Sequence, residues 1–529
     1  MHLDPTINQS RSSGAANSKK RKQSSTNGHP SIQLFNLRGI GDGQKDDLEG
    51  CLAEFESPGE LTKEQNVSYA IPVSLPQHHS NETDLLWDPN ASLSAKIIRE
   101  QIQRWNAAFK LWGTTGKYED GLLPSFDLEL ARHFHVQKLS KYLLDSHKEI
   151  RMPTFERWLI DTKLEERMSK ISKSVPDPVL PSAVNMESEA SQRMLQELTE
   201  KIPESEATRI VDELCRQTVA AVQELIGKTR QAKNQCPLRK ADRVDLDMKD
   251  NALYSLKYGR KSWKKPFIIK INALRYKKVR DMFDLVHKID ISKEKPKITS
   301  AFHLILMTML LRYASLFGGQ LLNDLRGRSI QGIIPPKVFR VLEQSFGQAC
   351  LECFASPFNA YYPRFGSAFS DLDWHFGSTG DFFDSTNIQG FFQANPPLSP
   401  GFMTAMVARM EFLLKEADKS KASLTFVVFV PTCNGSSDAP LVKQITSDSF
   451  QALVSLARTH LVLKSGQHFN VEGSQHIRST RYTKSVNNTS MLLLQSKASA
   501  AVVINEDCIR DAFTSQHENE HDQRKKRRS

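Results

Sequence analysis

Cysteine is scarce in this sequence: there are 7 among 529 residues, and they are scattered. An odd, sparse set with no apolar leader in Met1–Gln23 excludes a disulfide framework and argues for reduced thiols. Cys350 and Cys353 have CxxC spacing, but no second pair or histidine at zinc spacing accompanies them, so a metal site is not expected. Long apolar runs are missing as well. The most apolar stretch, Ala301–Phe317, carries His303 and Arg312 and falls short of the ~18–20 residues a membrane span needs. It predicts a buried helix, and no membrane partner. Acid is absent between Lys257 and Arg280, where ten Lys or Arg residues lie.

What is present is positive charge. The formal net charge is +11 and the sequence pI is near 9.1, which favours an anionic partner, nucleic acid first. Residues 1–35 and 515–529 are polar and aperiodic, which predicts disordered tails. They carry Lys19-Lys20-Arg21-Lys22 and Arg524-Lys525-Lys526-Arg527-Arg528, a pair that fits nuclear import or loose contact with nucleic acid. In the acid-free segment Tyr258, Trp263 and Tyr276 alternate with Lys261, Lys264, Lys265, Arg275, Lys277 and Lys278. Such a segment suits phosphates and stacked bases, or equally a solvated face whose aromatics anchor a small sheet around a strand at Phe267–Ile271.

Two regions differ in pattern. Up to residue 335 the spacing is helical: Ile98, Ile102, Trp105, Phe109 and Trp112 fall on one face, as do Ile210, Leu214, Thr218, Ala221 and Leu225 after Pro203. From residue 336 to about 510 strands and helices alternate. Cys350–Ala355, Gly390–Phe392 and the continuous apolar run Leu424–Val430 read as strands, the last buried on both faces. Ser490–Gln495 and Ala500–Ile504 read as a hairpin. Ser399 as N-cap and Pro400 at N1 open a helix over Phe402–Leu414. This predicts an α/β domain at 336–510 with a largely parallel sheet, beside a mainly helical region at 85–335.

The most informative residues are Asn395-Pro396-Pro397-Leu398, which follow a strand and precede a helix. Methylating an exocyclic amine of a base requires two acceptors aimed at one NH2 group. The Asn395 side-chain oxygen and the Pro396 carbonyl can supply both, and two prolines stiffen the loop and add no N–H of their own. Asn-Pro-Pro followed by an aromatic residue is the usual adenine-N6 methyltransferase signature. Cys353–Asn359 ends the strand upstream, so Ser356, Pro357, Phe358 and Asn359 are candidates to line a cofactor pocket. Asp371 and Asp373 are candidates for ribose hydroxyls, and Gly377 and Gly380 would let backbone come close.

LECFASPFNAYY, SAFSDLDWHFGS and GFFQANPPL, in that order between Leu351 and Leu398, resemble the cap-specific adenosine-N6 methyltransferase family. Members of that family are also described as factors interacting with the phosphorylated C-terminal domain of RNA polymerase II. The similarity extends to LTFVVFVP (Leu424–Pro431), GSQHI (Gly473–Ile477), NNTSMLLLQ (Asn487–Gln495), FERWLIDTKL (Phe155–Leu164) and DPVLPS (Asp177–Ser182). The resemblance implies a Rossmann-like methyltransferase domain packed against a helical domain. It implies S-adenosylmethionine as methyl donor and, as substrate, capped mRNA whose first transcribed nucleotide is 2′-O-methyladenosine. Asn395, Pro396, Pro397 and Leu398 then form the catalytic motif, and Arg157 contacts the capped substrate. Leu398 stands where the family has Phe, and Thr432-Cys433-Asn434-Gly435 replaces a charged segment that includes an arginine near the substrate. No WW module is visible before Trp87, so association with the polymerase tail does not follow from these residues. Two other readings stay open: a cap- or RNA-binding protein with a weakened or inactive site, and an enzyme for a different adenine-N6 substrate.

Overall fold

A computed structural model describes residues 126–169, 177–231, 243–248, 252–259, 264–287, 296–318, 332–346, 351–386, 388–433, 447–471, 476–477 and 482–514. The helix face expected at Ile98–Trp112, both basic tails, Trp263, Cys350, Asn434 and Gly435 lie outside these residues.

Among the described residues four helices come first: α1 (Phe126–Ser146), α2 (Met152–Met168), α3 (Glu189–Thr199) and α4 (Glu204–Gln231). Ser188 caps α3 by accepting a hydrogen bond from the Ser191 amide. On α4 the expected stripe of Ile210, Leu214, Thr218, Ala221 and Leu225 is buried throughout, as a 3.6-residue period requires. A small antiparallel sheet follows, built from β1 (Arg243–Asp247), β2 (Leu253–Gly259) and β3 (Phe267–Asn272) in that order. Here the basic segment shows its anchoring role. Tyr258 is fully buried, its ring centroid 3.9 Å from that of Phe126, while Lys264, Lys265 and Lys270 are exposed.

Next come α5 (Ala273–His287) and α6 (Pro296–Leu316). The apolar stretch expected to form a buried helix does so within α6. The two basic side chains of that stretch, His303 and Arg312, are inside because each has partners. His303 meets the Tyr276 hydroxyl at 2.7 Å, and Arg312 pairs with Glu129 and Asp371. None of the described helices is long and apolar enough to cross a membrane.

After α7 (Pro336–Phe346) the chain enters a six-stranded mixed sheet of β4 (Leu351–Ala355), β5 (Phe365–Ser367), β6 (Gly390–Ala394), β7 (Leu424–Pro431), β8 (Thr459–Leu463) and β11 (Thr489–Gln495). Its spatial order is β5-β4-β6-β7-β11-β8. β5, β4, β6 and β7 run parallel, and β11 is antiparallel to both its neighbours. β7 and β11 lie mid-sheet, which is why both are apolar on both faces. Helix α8 (Pro400–Lys419) joins β6 to β7, α9 (Ser447–Leu456) precedes β8, and α10 (Glu506–Thr514) closes the described chain. A two-stranded ribbon, β9 (Phe469–Val471) with β10 (Tyr482–Lys484), stands beside the sheet.

One expectation is overturned. Residues 500–504 form no strand, so the hairpin with β11 does not exist. Both edges of β11 are taken, by β7 and by β8, and no ladder position is left for a third partner. The Gln495 amide instead donates to the Ser499 and Val502 carbonyls, at 2.8 and 3.0 Å, and holds the turn that leads away.

The apolar interior forms two clusters. One joins the helices and the small sheet and also takes in Phe358, Phe365, Phe369 and Phe376. The other fills both faces of the large sheet. Ion pairs tie the two parts together. Arg312 of α6 reaches Asp371, and Arg167 of α2 reaches Asp381 and Asp384.

Candidate functional site

In open sheets of this kind, ligands bind beyond the carboxyl ends of strands, where the strand order reverses. The reversal here lies between β4 and β6, because the chain places β5 on one side of β4 and β6 on the other. β4 ends at Ala355 and β6 ends at Ala394, so both sequence motifs emerge at this point.

Asn395 is half-buried, and its Nδ2 donates to the Gly332 carbonyl at 2.6 Å. That bond orients the carboxamide and leaves Oδ1 as its acceptor end. Gly332 is itself held, because Ile333 and Val471 exchange hydrogen bonds of 3.1 and 2.9 Å. Pro396 is buried. Pro397 and Leu398 are half-buried, and Leu398 packs against the sheet's core. The Pro397 carbonyl accepts from the Ser399 amide at 3.1 Å, which turns the chain into α8.

The start of α8 is gripped from outside. Ser399 occupies the N-cap, but its hydroxyl does not cap the helix. It donates to Asp161 of α2. The same carboxylate accepts from the Gly401 and Phe402 amides, each at 3.1 Å, and so satisfies N–H groups that a helix start leaves unpaired. Burial raises the Asp161 pKa against the lowering effect of Ser399, Arg193 and these amides. Gly401 is required by space, since a Cβ there would lie 2.8 Å from both Asp161 and the Arg193 guanidinium.

A narrow cleft opens beside Asn395, lined by the 332–334 segment and by Glu352, Phe354, Asn359, Gln393 and Asn395. Asn359 closes the turn after β4. Its Oδ1 accepts from the Ser356 amide and hydroxyl at 2.6 and 2.9 Å. Pro357 is buried in that turn, and Phe358 points into the helical core with its ring edge-on to Tyr313. Asp373 is also fully buried. Its Oδ2 accepts from the Tyr313 hydroxyl at 2.6 Å while Oδ1 has no partner, and burial pushes its pKa up to about 7. Arg157 is largely buried on α2 and paired with Glu197 at 2.7 Å. The structure therefore brings Asn359 and Asn395 together on the cleft. Phe358 and Asp373 meet at Tyr313 of α6 instead, and Arg157 is tied to α3.

Several residues carry no local sequence signal. Lys278 is buried within the basic segment and donates to the Phe358 and Ala360 carbonyls at 3.1 and 2.7 Å. Glu352 accepts from the Tyr361 and Tyr362 amides at 2.7 and 3.1 Å. Lys278 and Glu352 thus clamp the turn after β4 from two sides. Burial depresses the Lys278 pKa and raises that of Glu352 to about 7. Gln393 is 2% exposed, and its Nε2 has no hydrogen-bond partner. Strand periodicity could have exposed Gln393, since it lies two residues before Asn395 and so on the same face. Asp161 could not be found that way, because its partners are some 240 residues distant. Among the described residues, no cluster of His, Cys, Asp or Glu could hold a metal.

Residues 278–473 match the family model described as Phosphorylated CTD interacting factor 1 WW domain. Over those residues, about a third of the chain, the sequence is similar to that family. The match covers the cleft, Asn395 and the turn after β4, and its described part runs from α5 through β9. Arg157 and Asp161 lie outside it. Two curated relatives are both named mRNA (2'-O-methyladenosine-N(6)-)-methyltransferase. The protein from Mus musculus is 38% identical over 189 residues, and that from Homo sapiens is 37% identical over 189 residues. In each case the match takes in 35% of this chain and 25% of the relative, so the chain spans about a quarter of the length of these relatives.

Proposed function

We propose that this chain transfers a methyl group from S-adenosylmethionine to N6 of the 2′-O-methyladenosine beside the 7-methylguanosine cap of mRNA. The observation that carries the reading is Asn395, which stands at the sheet's reversal point with its Nδ2 tied to Gly332 and its Oδ1 left to accept. Oδ1 and the Pro396 carbonyl would each accept one hydrogen of the adenine amine and turn the N6 lone pair toward the donor. Bound in the cleft, S-adenosylmethionine supplies an electrophilic methyl group on sulfur. The chain's own task is alignment, and such restraint is worth ~7–11 kcal/mol. As N6 becomes cationic in the transition state, the two oxygens stabilise it more than they stabilise the neutral amine.

The residues present fit such a donor. The cleft holds a buried carboxamide with an orphaned N–H donor at Gln393, a carboxyl at Glu352 and the Asn359 turn. A parallel sheet with one antiparallel strand, β11, inserted between β7 and β8 supports reading 336–510 as a Rossmann-like methyltransferase domain. Residues 85–335 then form the helical domain that presents Arg157 to capped RNA. Asn359 lines the donor pocket, Ser356 and Pro357 fix the turn that carries it, and Asp373 holds Tyr313 against Phe358 behind that turn. The basic tails support a nuclear location, and the similarity to a phosphorylated-CTD-interacting family supports contact with the phosphorylated polymerase tail.

Leu398 favours a second reading. It offers the base apolar contact but no aromatic face, a loss of ~1–3 kcal/mol of stacking. A cap-binding protein with a weakened site would have this composition. Incubating the purified chain with labelled S-adenosylmethionine and capped RNA beginning with adenosine separates the two. Label on that RNA and not on its uncapped form is the result expected. Cap binding without transfer would establish the second reading.

A further inference from the structure

Glu352 and Gln393 are partners across the parallel pair β4 and β6, and both line the cleft. Their side chains differ in hydrogen-bonding capacity. A carboxylate only accepts, and Glu352 retains capacity after taking the Tyr361 and Tyr362 amides. The Gln393 carboxamide can donate, yet its Nε2 is buried without a partner. An orphaned buried donor is destabilising, and a ligand that accepts from it would recover that loss. Gln393 also shares a strand face with Asn395, about 6.6 Å further back along β6. A ligand whose reacting atom faces Asn395 would therefore bring its other end to the Glu352–Gln393 pair. An acceptor beside a donor complements a group carrying both a cation and an anion.

We propose that this pair holds the zwitterionic amino-acid end of the methyl donor, with Glu352 accepting from the ammonium and Gln393 donating to the carboxylate. The assignment rests on the methyltransferase reading above and deepens it. Glu352 is set rigidly by the two amides, and Lys278 fixes the same turn through the Phe358 and Ala360 carbonyls. The Glu352 carboxyl is thus held in position before any ligand arrives. A base edge would be read further forward, at the Asn395 loop.

Titration calorimetry on the full chain tests this with S-adenosylhomocysteine and 5′-methylthioadenosine, which lacks the amino-acid end. Gln393→Leu and Glu352→Gln should each weaken S-adenosylhomocysteine by about tenfold or more, and leave methylthioadenosine within about twofold. Gln393→Glu, nearly isosteric, should weaken it at least as much by repelling the carboxylate, and a thermal melt checks that each variant is folded. Equal losses for both ligands, or no loss for either, would overturn the assignment. So would a change confined to the KM for capped RNA, which would place Gln393 against the base. If the unsubstituted chain binds neither ligand, the methyl-donor reading itself fails and this inference fails with it.

Discussion

Asp161 offers the sharpest perturbation, because one carboxylate on α2 holds the first turn of α8 directly behind the Asn-Pro-Pro loop. It accepts from the Ser399 hydroxyl and from the Gly401 and Phe402 amides, and it is 3% exposed. Asp161→Ala removes all three bonds and leaves two helix-start amides unpaired in a buried place. Hydrogen bonds to charged groups contribute ~1.5–3 kcal/mol each, and loss of a helix cap costs ~0.5–2. The three share one acceptor and do not add, so we expect a loss of about 2–4 kcal/mol. The loop that carries Asn395 would lose its downstream anchor, and a displacement near 1 Å costs about 10²-fold in rate. Methyl-transfer kinetics and a thermal melt should therefore both fall, with kcat affected more than the KM for S-adenosylmethionine. Ser399→Ala, which loses one bond of the three, should cost less on both scales. Gly401→Ala, whose new Cβ meets Asp161 and Arg193 at 2.8 Å, should resemble Asp161→Ala in kcat. An Asp161→Ala protein with unchanged melting and unchanged kcat would refute this reasoning.

Asn395→Ala loses one exposed-end acceptor and the bond to Gly332, so transfer should drop by about 10²–10³-fold while stability changes by only ~0.5–1.5 kcal/mol. A single-turnover assay showing near-full activity would remove Asn395 from the chemistry. Leu398→Phe should raise kcat/KM on capped adenosine RNA if base stacking is limiting. A sharp fall would show that the pocket is shaped around leucine, which packs on the sheet core. Asp373→Asn should flatten the dependence of stability on pH. The buried carboxyl has its pKa raised to about 7, so its protonated form stabilises the fold fully below the unfolded value near 4. That contribution is lost as pH rises through 7, so the variant should gain relative melting temperature from pH 5 to pH 8. Parallel melting curves for the two proteins across that range would contradict it.

Much of the local structure was legible in the residue order. A 3.6-residue stripe placed α4, the apolar run Leu424–Val430, broken only by Thr425, placed β7, and Ser399-Pro400 placed the start of α8. The hairpin at 490–504 failed because alternation and hydrophobicity describe a strand without saying which neighbours occupy its edges. Those neighbours are β7 and β8, far from Ala500 in the chain. The basic segment was ambiguous for a similar reason. Lys278 reads as one more surface cation, and only packing shows it inside, bound to two carbonyls some 80 residues away.

The sequence by itself determined the chemistry on offer at the loop, because Asn and two prolines constrain their own backbone and side-chain atoms whatever surrounds them. Only the tertiary structure decided how that loop is aimed and held. Gly332 turns the Asn395 amide, Asp161 anchors the helix behind it, and Gln393 is left with an unanswered donor across from Glu352. Each of these is a contact between distant segments. A short motif fixes local geometry through covalent constraint, whereas orientation in a cleft is set by partners that only folding brings within hydrogen-bond reach.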